Sequence, residues 1–148
     1  MIEIKRVQEV SATVETVWSL VGDLEHEQRF WSALRNVKIL RRLDDHTVER
    51  EVSIKRGPMG EAKSFQTLSL DEAQKTTTLS MTKGPMLGAR KVALSGINNG
   101  AKTKIETSWR FELKGIPTFA HGFVKDNISN ETEKALAIIA EEAGRSKE

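Results

Sequence analysis

The chain has no cysteine and no tyrosine, and it has three prolines in 148 residues. Without cysteine there is no disulfide framework, no thiol nucleophile and no thiolate metal site. Without tyrosine, another proton donor that buried sites often use is missing. No apolar run approaches the ~20 residues that a helix needs to cross a bilayer. The first residues, "MIEIKRVQEV", alternate apolar and charged side chains where a signal peptide would be continuously apolar. A preponderance of one charge is also missing. The 23 Lys and Arg face 21 Asp and Glu, for a net charge of +2, and the two signs are interspersed. No basic stripe of the kind that tracks phosphates is visible, so nucleic acid is not an expected partner. His26, His46 and His121 are scattered, with no i,i+4 pair, so no metal and no cofactor are expected. Together these absences point to a cytoplasmic protein with no transmembrane segment.

What is present suits one domain over residues 1–148, with 38% apolar and 30% charged residues. Residues 2–10 alternate as a strand. The period then changes: Val14, Val17, Trp18 and Val21 recur at helical spacing, with Ser11 or Thr13 available as N-cap and Gly22 as the stop. A second short helical turn spans Glu25 to Trp31. Six strands follow: Val37–Leu43, Thr47–Lys55, Ala62–Leu70, Thr76–Thr82, Ala89–Ile97 and Lys102–Leu113. All connections are hairpin-length, which predicts an antiparallel meander. Two of them echo one another. "RGPMG" begins at Arg56 and "KGPMLG" at Lys83, and each sets a proline-fixed turn beside a methionine. Pro117 opens a helix to about Ala143, with Phe119, Phe123, Ile128, Thr132, Ala135, Leu136 and Ile139 as its expected apolar stripe.

The predicted class is α+β, a seven-stranded curved sheet around one long C-terminal helix with two short helices after the first strand. One helix, ~10 Å across, is too narrow to cover such a sheet. A cavity between sheet and helix is therefore expected, and that is a common place for a ligand.

The residues "VETVWSLVGDLEHEQRFW", in this element order, resemble the START-like (SRPBCC) superfamily with the helix-grip fold. The resemblance is to the branch described as polyketide cyclase/dehydrase and lipid transport. It is carried by Ala12, Val17, Trp18, Leu20, Val21, Asp23 and Trp31; the proline that usually precedes that last tryptophan is absent. It implies a large apolar cavity for lipids, polyketides, hormones or quinones. It also implies a gate hairpin at Arg56–Gly60 and a latch hairpin at Gly84–Gly88, with Met59 and Met86 as adaptable lips of one rim.

For the cavity and its mouth the candidates are Arg50, Val52, Met59, Phe65, Met81, Met86, Trp109, Phe111, Phe119 and Phe123. Trp109 and Phe111 share the inward face of the last strand, where core packing and cavity lining are both open. Trp109 also needs a partner for its N–H if buried. Arg50 interrupts an apolar face shared with Val48, Val52 and Ile54. If it faces inward, it requires an acidic ligand or an internal glutamate; otherwise a bulge turns it out. Cavity-facing Asp and Glu are not evident, and no nucleophile–base pair is visible, so no catalytic residue is assigned. The expected function is binding or transport of a hydrophobic small molecule such as a lipid, isoprenoid, quinone or polyketide. The alternatives are a cyclase or dehydratase using the same cavity, or a partner-binding module of the co-chaperone type.

Overall fold

The computed structural model describes residues 1–32, 34–55 and 60–146. The chain forms β1 (Ile2–Val10), α1 (Val14–Val21), a 3-10 helix (Leu24–Arg29), β2 (Arg35–Asp44), β3 (Thr47–Lys55), β4 (Glu61–Asp71), β5 (Thr76–Lys83), β6 (Met86–Ile97), β7 (Lys102–Leu113), a 3-10 turn (Thr118–Ala120) and α2 (His121–Ser146). The strands make one sheet in the order β1-β7-β6-β5-β4-β3-β2, every pair antiparallel. This is the expected helix-grip arrangement: a meander from β2 to β7, with β1 closing on the last strand.

Local chemistry explains the boundaries. Thr13 is the N-cap of α1, its Oγ1 accepting from the Thr16 N–H at 3.3 Å, and the Gly22 N–H closes the helix on the Trp18 carbonyl at 2.8 Å. Asn98, Asn99 and Gly100 all take positive φ in the β6–β7 turn, which is why that turn is built from them. Met86 is the first residue of β6, so the second proline echo leaves only Gly84 and Pro85 as its turn. The Pro85 carbonyl accepts the Lys114 N–H at 2.8 Å, which ties this turn to the end of β7. The first echo, Arg56–Met59, lies outside the described residues, and so does the expectation that Met59 shares a rim with Met86.

At Gly88, β7 occupies the space a side chain of β6 would need. The glycine pairs with Phe111 at φ +151°, and a Cβ there would lie 2.1 Å from the Arg110 carbonyl oxygen and 2.6 Å from the Phe111 Cα. No side chain fits that space.

The main core lies between β1, β7, α1 and the second half of α2. There Val10, Val17, Ile105, Ala135, Leu136, Ile139 and Ala143 are buried together. A smaller cluster of Val48, Leu68 and Leu79, backed by Leu24, lies farther along the same inward face, on β3, β4 and β5. The expected stripe on the long helix holds from Ile128 onward but fails at its start. Phe119 is 87% exposed and Phe123 50%. Ile116, Ala120 and Val124 are the residues that turn inward instead. Pro117 starts a 3-10 turn rather than α-helix, and that tighter winding shifts the facing residues by one position.

Candidate functional site

Because α2 rests chiefly on β1 and α1, the middle strands are left uncovered by the helix. A cavity of about 410 Å³ lies there. The inward faces of the sheet supply Ile54 from β3, Gln66 from β4, Leu79 and Met81 from β5, Met86 and Arg90 from β6 and Trp109 from β7. Val124, Asn127, Ile128 and Glu131 of α2 form the opposite wall, and Trp31, Ser32, Leu34 and Arg35 close the side. Ser32 Oγ donates to Glu131 Oε2 at 2.5 Å, so the segment after the 3-10 helix is tied to α2 across the opening.

The inner wall is charged. Arg50 on β3 and Arg90 on β6 are both buried, with Glu27 of the 3-10 helix between them. Arg50 Nη1 donates to Glu27 Oε2, and its Nε donates to Gln66 Oε1 at 2.9 Å. Arg90 Nη2 donates to Glu27 Oε1 at 3.0 Å. The Arg90 guanidinium also lies 4.5 Å from the centre of the Trp31 ring and 5.6 Å from that of Trp109, a cation stacked on two indoles. Burial alone would raise the Glu27 carboxyl, but the charges of Arg90 and Arg50 and their hydrogen bonds hold it below the ordinary glutamate range. Burial pushes the Arg90 guanidinium down, and Glu27 opposes that shift. The group remains a cation, as arginine does in proteins.

Among the expected residues, Met81, Met86 and Trp109 line the cavity. The Trp109 N–H has its partner inside the protein, donating to Thr132 Oγ1 at 3.0 Å. Phe111 and Val52 face inward but are fully buried, as core beside the cavity rather than part of its wall. Arg50 faces inward, and its counter-charge is the internal Glu27. Phe65 points to the outer face: Ser64, Gln66 and Leu68 take the inward positions of β4, and the Lys83 ammonium lies 5.5 Å over the exposed side of the Phe65 ring. Phe119 and Phe123 face away from the cavity wall into solvent. Met59 is outside the described residues.

Three functional candidates were not anticipated. Arg90 carries the same signal as Arg50, a cation at period two with Met86, Val92 and Leu94. Gln66 sits on a strand whose inward face is half polar. Glu27 overturns the expectation of no inward carboxylate; it belongs to a six-residue 3-10 helix, too short to show a face by periodicity. Among the described residues, no group of three or more His, Asp or Glu side chains gathers as a metal-binding set. No helix among them is long and apolar enough to cross a membrane.

A family model described as polyketide cyclase / dehydrase and lipid transport matches residues 1–144. Among solved structures, the Zhui aromatase/cyclase from a Streptomyces species superposes with a TM-score of 0.85 at 12% identity, covering 99% of this chain and 96% of that one. A protein from Thermus thermophilus gives 0.78 at 15% identity, covering 99% of each chain. A START superfamily protein from Mycobacterium smegmatis gives 0.71 at 16%, covering 95% of this chain and 97% of that one. At these identities the likeness is one of fold. No curated protein matches the chain.

Proposed function

The chain belongs to the polyketide cyclase/dehydrase and lipid transport family, and on that premise we propose that it binds a hydrophobic small molecule in the cavity between sheet and α2. The carrying observation is the cavity itself. At about 410 Å³ it falls in the ~300–1,000 Å³ range of small-molecule sites. Its wall has the usual composition, mostly aliphatic and aromatic with a few polar groups at defined points. Met81 and Met86 give it two adaptable side chains, and Trp31 and Trp109, in edge-to-face contact with 6.0 Å between centroids, give it a rigid flat one. A cavity of this size speaks against a filled partner-binding module.

One observation favours a second reading, cyclase- or dehydratase-type chemistry: an arginine–carboxylate pair stands in the inner wall. The state of Glu27 weighs against its acting as the proton shuttle. A general acid or base works best with a pKa near the operating pH, whereas Glu27 is held low by two guanidiniums that occupy both its oxygens. Binding is the better supported of the two readings.

Native mass spectrometry of protein purified from its own host tests the proposal. A bound apolar species is expected in the wild type and should be lost in Ile128→Trp, which fills the cavity from the helix side. An unliganded wild type that also fails to bind naphthalene-based probes would sink the reading.

A further inference from the structure

The inner wall carries more positive charge than its own structure needs. Two guanidiniums face one carboxylate, so the buried triad of Arg50, Glu27 and Arg90 has one positive charge in excess. The other charged residues on the lining, Arg35 and Glu131, carry opposite signs and add no net charge. The two arginines are also satisfied unequally. Arg50 spends both ends of its fork on Glu27 and its Nε on Gln66. Arg90 has one hydrogen bond to Glu27, and its Nε, although buried, has no partner among the described residues. A guanidinium offers five N–H donors, and a buried donor left unpaired is unfavourable. Arg90 is also the member of the triad whose side chain lines the cavity.

We propose that the ligand carries an anionic oxygen group, of the carboxylate or enolate kind, which Arg90 receives at the inner end of the cavity. This rests on the reading of the cavity as a small-molecule site and adds the chemistry of the ligand's buried end. The indoles of Trp31 and Trp109, already stacked on the Arg90 guanidinium, would flank the flat part of the molecule next to its charge. The apolar remainder would run between Met81, Met86 and Ile128 toward the opening. Glu27 acts through Arg90 as a positioning residue: its hydrogen bond holds one edge of the guanidinium and leaves the others for the anion. With Glu27 in place the excess is a single positive charge, which matches one anionic group.

Calorimetric titration of the intact chain with naphthoate and with naphthalenemethanol, which differ in charge and little in shape, tests this. Naphthoate should bind the wild type at least about tenfold more tightly. Arg90→Met should erase that preference, bringing the affinities for the two probes to within about threefold of one another. If Arg90→Met does not fold, the arginine Nε–H resonances of the wild type serve instead: one should shift on adding naphthoate and stay in place with the alcohol. Equal affinity of the wild type for both probes would overturn this inference and leave the cavity reading standing. Failure of both probes to bind would overturn both. A naphthoate preference that survives in Arg90→Met would remove Arg90 from the role.

Discussion

Between His121 and Glu131, α2 shows solvent the half-exposed ring of Phe123 and gives the cavity Val124, Asn127, Ile128 and Glu131; from Thr132 on, it buries Thr132, Ala135, Leu136, Ile139 and Ala143 against β1, β7 and α1. The sheet beneath is continuous and the helix is unbroken, so the difference lies in the side chains and in what lies opposite them. The second half meets small and aliphatic partners at close range. The first half faces Arg90 of β6, Gln66 of β4 and the indoles of Trp31 and Trp109 across the cavity, and the space between is left open. A helix that grips at one end and stands off at the other makes a cavity without an added lid domain.

That contrast can be broken at several points, and the largest effect is expected at its charged end. Glu27→Gln leaves two buried guanidiniums facing each other without their shared carboxylate. Removing one partner of a buried ion pair costs about 3–5 kcal/mol, and chemical denaturation should show a loss of that order. The same site sets an acid limit. The folded-state pKa of Glu27 lies below its ordinary value of 4.5, so its contribution is complete above that value and is lost as the pH falls through the lower folded-state one. Thermal melts should show the wild type weakening on the acid side of 4.5. In Glu27→Gln that part of the decline should be missing, and parallel curves would contradict the assignment.

Next comes the helix itself. Leu136→Ala, in the gripping half, should cost about 2–5 kcal/mol. Ile128→Ala, beside existing empty space, should cost distinctly less, because the transfer term remains while little new cavity is made. Equal costs would mean that the two halves are packed alike. Trp109→Phe should cost about 0.5–1.5 kcal/mol by removing the bond to Thr132. Smallest of all, Phe119→Ser changes a side chain 87% exposed, and stability should move by no more than about 0.5 kcal/mol.

The strands were legible because period two is strict wherever one sheet face is buried. Thr47–Lys55 and Lys102–Leu113 have the same bounds in sequence and structure. Legibility ended where periodicity carries no sign. In β4 the run "SFQTLSL" alternates on either phase, and the aromatic ring suggested the wrong one; the Lys83 ammonium lies over Phe65 on the outer face while serine and glutamine turn in. At Phe119 and Phe123 the helical spacing was right and the phase was off, because the 3-10 turn after Pro117 rotates the stripe. Arg50 could be read as a cation on an apolar face. That its partner is Glu27, 23 positions earlier, is a fact of tertiary structure. Arg90 shows the reverse case: the signal was present at period two with Met86 and Val92, and its meaning appears only once β3 and β6 are brought to one carboxylate.

Gly88 is the third residue of β6, between Met86 and Arg90, and all three share one face of the strand. Its absent side chain lets β7 press in until Arg110 and Phe111 occupy the space a Cβ would need. Part of the cavity wall thus runs along a strand in which the position between Met86 and Arg90 tolerates no substituent. Substitutions at Met81, Met86 and Ile128 change the cavity wall and leave the strand pairing in place. Gly88 is the fixed mark against which each of those changes is registered.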